Sequence, residues 1–286
     1  MTTGRARAFS PAHITGFFQI FDKGSTGAGV NLKKGMTTRV EIGEGSGTDI
    51  TINHARDDAP VSKAVIARYV QIAREPLFVR VEHLSDVPVG YGLGMSAAGA
   101  LSLSLALNEC LRAVGDDAAK RIAHLAEIEC GTGLGAVIAQ SHGGFLLRKK
   151  PGDFGEVERL GVDDGLRVVC AFLRPLSTSK IIRDENWRKK INEVGAACMR
   201  GFSRDSSVEN FISLSRRFAL RTGLAKGVER ALLKIKDASM AMLGETLFVL
   251  TREPESAAEA CREFSGNIVI SEISKEGARV LGDGRG

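Results

Sequence analysis

Aromatic side chains with a polar handle are scarce: one Trp and two Tyr stand among 286 residues. Base-stacking platforms are built from such rings, and no nucleic-acid motif is present, so a nucleic-acid partner is not expected. The five cysteines, Cys110, Cys130, Cys170, Cys198 and Cys261, are odd in number, far apart and without a C-x-x-C pair. That excludes the usual zinc and disulfide frameworks; most lie in apolar stretches and read as core thiols. No stretch reaches the roughly 20 apolar residues that span a bilayer. The N-terminus lacks the charged-then-apolar secretory pattern. The expectation is a cytoplasmic protein without a membrane partner.

There is also no long run of one charge. The formal net charge is +5, yet the basic residues are scattered, Arg148, Lys149 and Lys150 among them. This reads as a solvated mixed surface that also suits anionic substrates. Apolar residues at 43% and charged residues at 26% are ordinary for a globular chain and leave no place for long disordered tracts. The 33 glycines exceed the usual share of about 7%, so tight turns and close backbone approaches are expected.

Along the chain, Arg5–Phe9, Phe17–Asp22, Thr37–Ile42 and Asp49–Ile52 read as short strands separated by glycine clusters. A helix is expected over Val61–Arg74 and a strand over Pro76–Glu82, where side chains alternate. Ser96–Val114 is apolar nearly all round and predicts a buried helix. A second, amphipathic helix follows over Asp117–Glu129, then a glycine turn at Gly131–Gly135 and a strand near Gly144–Arg148. Lys149–Gly165 resembles a boundary. Beyond it come a strand (Arg167–Arg174), a helix (Asp184–Met199), and a helix opened by the capping-box spacing of Ser206 to Glu209 and closed by Gly223. A helix over Gly227–Asp237, a hairpin around Gly244–Glu245, a helix started by Pro254 and a last strand Asn267–Ile273 complete an α+β pattern.

The most informative segment is Pro88-Val89-Gly90-Tyr91-Gly92-Leu93-Gly94-Met95-Ser96-Ala97-Ala98. Three alternate glycines let backbone N–H groups face an anion. The helix starting near Ser96 adds its unpaired N–H groups and dipole. A Walker loop needs a Lys that is missing here, and the spacing is not that of a dinucleotide fingerprint. A structural turn before a core helix is the rival reading.

PVGYGLGMSAA resembles the second signature of the GHMP kinases, P-x-x-x-G-L-G-S-S-A. Ser10–Phe18, Gly24–Gly29 and Gly131–Gly135 resemble, within that superfamily, the archaeal pantoate kinases. The resemblance implies a two-domain α+β fold. Residues 1–160 would be a domain related to ribosomal protein S5 domain 2, carrying the phosphate loop. Residues 161–286 would be a ferredoxin-like domain closing the cleft. It implies ATP and Mg2+ as cofactors and pantoate as acceptor, in a step toward coenzyme A, with a homodimer as the assembly. A homoserine- or mevalonate-type acceptor, or a non-catalytic ATP-binding regulator, are the alternatives.

Carried over residue by residue, the resemblance gives Pro88, Gly90, Gly92, Leu93, Gly94, Met95, Ser96 and Ala97 to the nucleotide. It gives Ser96 and Glu127 to the metal, with Glu129 as the alternative acid. His13 stands where many members have Lys or Arg; it would orient substrate or phosphate, or else be a histidine bonded near a turn. Thr15 and Ser25 would line the acceptor pocket, unless they serve turn chemistry. Ser177, Thr178 and Lys180 follow a strand end where the family contacts substrate; a capped helix entrance is the rival. Ser239 and Gly244 occupy the third signature, from which the other glycines are gone. Many members place a catalytic Asp after the glycine turn, at the position of Ala136. Its replacement fits two accounts: a change introduced to trap bound substrates, or a natural chain that manages without the acid.

Overall fold

The computed structural model describes residues 3–176 and 178–282. Its backbone begins with two very long antiparallel strands, β1 (Gly4–Phe21) and β2 (Gly24–Gly43), turned by Asp22 and Lys23. The separate strands expected over Arg5–Phe9 and Phe17–Asp22 are thus one. Pro11 and Gly16 do not break it, because the pairing slips at Pro11/Ala12 and Thr15/Phe17 instead; the first slip leaves Lys33 and Lys34 of β2 unpaired and the second leaves Gly16 of β1 unpaired, as bulge-type irregularities.

Three further strands, β3 (Gly47–Ile52), β4 (Ala55–Arg56) and β5 (Phe78–Ser85), extend the sheet from one half of β2. The other half of β2 pairs with β6 (Phe145–Arg148), and β6 with β7 (Val157–Leu160). Helices α1 (Pro60–Ala73), α2 (Met95–Leu111) and α3 (Asp116–Cys130) bury their apolar faces around a core that includes Val40, Val65, Val81, Leu101 and Ile122. A short α4 (Ala136–His142) follows the glycine turn.

The second sheet is built from β8 (Arg167–Arg174), β9 (Ala238–Ala241), β10 (Glu245–Thr251) and β11 (Ile268–Glu272), in the order β11-β8-β10-β9. Its neighbours are all antiparallel. Counted from β8 this is the 4-1-3-2 order of a ferredoxin-like βαββαβ unit. Helices α5 (Thr178–Ile182), α6 (Glu185–Arg204), α7 (Val208–Thr222), α8 (Glu229–Lys234) and α9 (Pro254–Arg262) complete it. The cap of α7 is Ser207, which accepts from Asn210 N; Ser206, expected to cap, donates to Phe202 O instead. A strand the sequence did not suggest, β12 (Arg279–Leu281), returns to pair with β1.

The two sheets share a core. Phe17, Phe145, Phe202, Phe211 and Phe248, from β1, β6, α6, α7 and β10, pack with ring centroids 5.0–6.1 Å apart. Beside it, a polar chain ties α2 to the first sheet. His83 bonds Thr38 Oγ1 at 2.7 Å and Ser62 Oγ at 3.0 Å, and Thr38 bonds Ser102 Oγ at 2.6 Å. A buried polar network fixes orientation more sharply than apolar contact alone, and α2 is the helix whose N-terminus carries the glycine loop. Among the described residues, no helix is long and apolar enough to cross a membrane.

Candidate active site

The glycine loop crosses from β5 to α2. Gly90, Gly92 and Gly94 all have positive φ, at 90°, 85° and 63°, where a side chain strains the backbone. Helix α2 has no side-chain cap and no acid in its first turn. Its first N–H groups and the positive end of its dipole therefore stay available to an anion.

The loop forms one wall of a cleft of about 330 Å³. Gly90, Gly92, Gly94, Met95, Ser96 and Ala97 line it, with His13, Thr15, Ser25, Glu127 and Ala136 on other sides. Leu93 is buried in the core, and its carbonyl accepts from His13 N at 2.9 Å. Pro88, Lys180, Ser239 and Gly244 lie outside this lining. Lys180 is exposed on α5, while Ser239 is fully buried in β9. Ser177 lies outside the described residues, and Thr178 is the first residue of α5.

Gly244 packs against the backbone of the glycine loop. A Cβ there would lie 2.0 Å from Tyr91 C, and a Cβ on Gly92 would lie 2.7 Å from Gly244 N. The loop and the β9–β10 turn thus meet backbone to backbone. Thr246 Oγ1 donates to Tyr91 O at 2.7 Å, Leu176 N to Gly90 O at 3.2 Å, and Met242 N to Thr15 O at 3.0 Å.

Glu127 comes from the last turn of α3 and is buried. Its Oε1 accepts from Ser96 Oγ at 2.6 Å and Thr132 Oγ1 at 2.7 Å. Burial pushes its carboxyl above the usual range, and the two hydroxyl donors only partly oppose this. A cation beside it would restore the charged form. A carboxylate and a hydroxyl at the mouth of a phosphate loop suit Mg2+, which takes hard oxygen ligands and shares them with substrate phosphates. Among the described residues no cluster of three or more His, Cys, Asp or Glu that could hold a metal ion is found. Glu129, the alternative acid, instead pairs with Arg68 at 2.6 Å on the surface.

Arg148 was not singled out by the sequence. It ends β6, is only 1% exposed, and lines the cleft. Burial pulls its pKa down to about 10, and no acidic side chain among the described residues offsets that cost. At neutral pH it stays a buried cation. Its Nη1 donates to His13 Nε2 at 3.2 Å and its Nη2 to Ser25 Oγ at 3.4 Å, while its Nε has no partner. Such a charge is costly unless something pairs with it. Gly135 packs against both groups: a Cβ there would lie 2.3 Å from Ser25 Oγ and 2.8 Å from Arg148 Nε, so only a glycine fits beside them. Arg148 and Ser25 both line the cleft, and an anion that pairs with the guanidinium would reach it from there.

His13 stands behind Arg148 inside strand β1, not beside a turn. Asn31 Nδ2 donates to Ala139 O and Gly144 O, so its Oδ1 faces His13 Nδ1, 3.2 Å away. That amide orientation makes Nδ1 the protonated nitrogen and leaves the Nε2 lone pair for Arg148. Burial first, and the Arg148 charge second, hold the His13 pKa well below the ordinary value. His13 is neutral and both its nitrogens are engaged.

Comparison with known proteins agrees with this geometry. The family model "GHMP kinases N terminal domain" matches residues 61–144. The pantoate kinase of Methanocaldococcus jannaschii is 39% identical over 86% of this chain and 92% of its own length. That of Thermococcus kodakarensis is 36% identical over 96% and 97%. A solved structure described as a phosphotransferase related to the CoA biosynthesis pathway superposes with a TM-score of 0.84, at 32% identity over 97% of this chain and 99% of its own. The chain belongs to the GHMP kinases, in the pantoate kinase family.

Proposed function

We propose that the protein transfers the γ-phosphoryl group of ATP to the primary hydroxyl of pantoate, giving 4-phosphopantoate on the way to coenzyme A. The carrying observation is Arg148: a buried cation without an acid partner, in the same cleft as an anion-binding loop. The loop amides and the α2 dipole hold the triphosphate. Ser96 and Glu127 hold Mg2+, which neutralises charge on the phosphates. Arg148 and Ser25 hold the acceptor carboxylate on their side of the cleft, which leaves the hydroxyl end of the acceptor free to approach the loop. The acceptor oxygen bonds to the γ-phosphorus, the bond to the β–γ bridging oxygen breaks, ADP leaves with the electron pair, and the hydroxyl proton passes to solvent water. The first sheet, to which β12 returns, serves the nucleotide with its helices, and the second sheet with its helices closes the cleft.

Ala136 lines the cleft where the family resemblance places an acid. This favours a second reading, in which the chain binds both substrates and turns them over slowly. The two are separated by measuring ADP release with pantoate, homoserine and mevalonate, beside calorimetric binding of each acceptor. Pantoate should be both the acceptor that binds and the one that releases ADP. Tighter binding or faster release with another alcohol defeats the assignment; pantoate binding with no release selects the second reading.

A further inference from the structure

A guanidinium recognises a carboxylate through two parallel N–H groups, and that geometry requires its plane to be fixed. Among the described residues no carboxylate fixes Arg148. What holds it is a chain of neutral groups. The carbonyls of Ala139 and Gly144 accept both protons of the Asn31 amide at 3.0 and 3.2 Å. The amide oxygen then faces His13 Nδ1–H, and His13 Nε2 accepts from Arg148 Nη1. Each link dictates the next, because a reversed amide would set two oxygens against each other. With Nη1 turned to His13, Nη2 is left beside Ser25 on the lining of the cleft.

We propose that His13 and Asn31 are positioning residues: they form a neutral relay that orients Arg148 toward the carboxylate of the acceptor. The relay rests on the assignment of that carboxylate to Arg148 made above. It uses a neutral acceptor where an acid would be the obvious choice. An Asp or Glu at position 13 would pair with Arg148 and compete with the substrate; an imidazole Nε2 fixes the plane while leaving the positive charge uncancelled. The relay also assigns His13 a role distinct from proton transfer. Its lone pair is committed to Arg148 and its proton to Asn31.

The relay is tested in two ways. In the unsubstituted protein, 15N NMR of labelled histidine should find His13 as the Nδ1–H tautomer at pH 7. An Nε2–H tautomer or an imidazolium overturns the relay. Separately, pantoate is titrated calorimetrically into His13→Gln, His13→Asn and Arg148→Ala, each with a non-hydrolysable ATP analogue bound. Gln can place an acceptor near the position of Nε2 and should stay within about threefold of the parent. Asn reaches only the Nδ1 position and should weaken pantoate roughly 10–100-fold, the range of a hydrogen bond to a charged group. Affinity for the ATP analogue should be unchanged in both. Parent-like pantoate binding by His13→Asn, or equal losses for pantoate and nucleotide in both His13 variants, defeats the relay. Parent-like binding by Arg148→Ala removes the anchor itself, and the relay with it, and so marks the earlier assignment as the one that failed.

Discussion

The sharpest prediction concerns Ala136→Asp. Residue 136 opens α4 and lines the cleft, and a Cβ placed on Gly94 would lie 3.2 Å from the Ala136 Cβ. A carboxylate there borders the phosphate loop, and two opposed effects follow. A positioned general base contributes roughly 10²–10⁴-fold to rate, or about 3–5 kcal/mol of barrier. The same carboxylate repels the phosphates. At roughly 7 Å and an effective dielectric of about 20, one such pair costs about 2 kcal/mol, some of which Mg2+ screens. The base term is the larger, and the repulsion falls on ATP binding. Saturating ATP therefore separates them: kcat with pantoate should rise at least about a hundredfold, while the KM for ATP should rise by up to roughly thirtyfold. Arg148, in the same cleft, should keep the new acid ionised. The assay is steady-state ADP release at several ATP concentrations, parent and variant side by side. An unchanged or lower kcat at saturating ATP would show that residue 136 is not where this chain is short of a base.

Three further outcomes are expected. Gly135→Ala puts a methyl group 2.3 Å from Ser25 Oγ and 2.8 Å from Arg148 Nε and must displace both, so calorimetry should show pantoate affinity falling at least about tenfold as the charged hydrogen bonds lose their geometry, with ATP affinity unchanged. Glu127→Gln removes a charged metal ligand, so ATP titrations with and without Mg2+ should converge; a difference equal to that of the parent assigns Glu127 to structure alone. Burial holds His83 at about 4, below its ordinary 6.5; a histidine depressed on folding stabilises fully above 6.5 and loses that contribution as pH falls toward 4. Urea unfolding should therefore show about 2 kcal/mol less stability from this group at pH 5 than at pH 7. His13 and His124 are shifted the same way, so the His83 share is the difference between the parent and His83→Asn curves.

The glycine loop and the helix it opens were legible because they are written in local chemistry: glycines at fixed spacing, all with positive φ, and a helix start. Glu127 and Ser96 could be carried over because they flank such landmarks. Arg148 was not legible. In the sequence it opens Arg148-Lys149-Lys150 and reads as solvated charge; only the closure of β6 against β2 buries the first member while Lys149 and Lys150 pair with Glu158 and Glu156 at the surface. The apolar run Phe145-Leu146-Leu147 leading into it was the available signal. The long hairpin was misread for the opposite reason. Pro11, Gly16, Gly27 and Gly29 look like breaks, yet tertiary pairing overrides local preference and turns two of these sites into bulges. The short β12 carries too few residues for any period to show, and its partner is more than 270 residues away.

The contact between Gly92 and Gly244 has a thermodynamic consequence. Loops rich in glycine carry the largest backbone entropy, and a loop that must order itself around a ligand subtracts that entropy from affinity. Here the apex is held by the β9–β10 turn and by Thr246 on the Tyr91 carbonyl, so its ordering is charged to folding and not to nucleotide binding. The second sheet thereby acts on the ordering of the glycine loop. Loosening β9 or β10, far from any phosphate, should surface first as a weaker, more entropically opposed nucleotide affinity, before any loss of the fold.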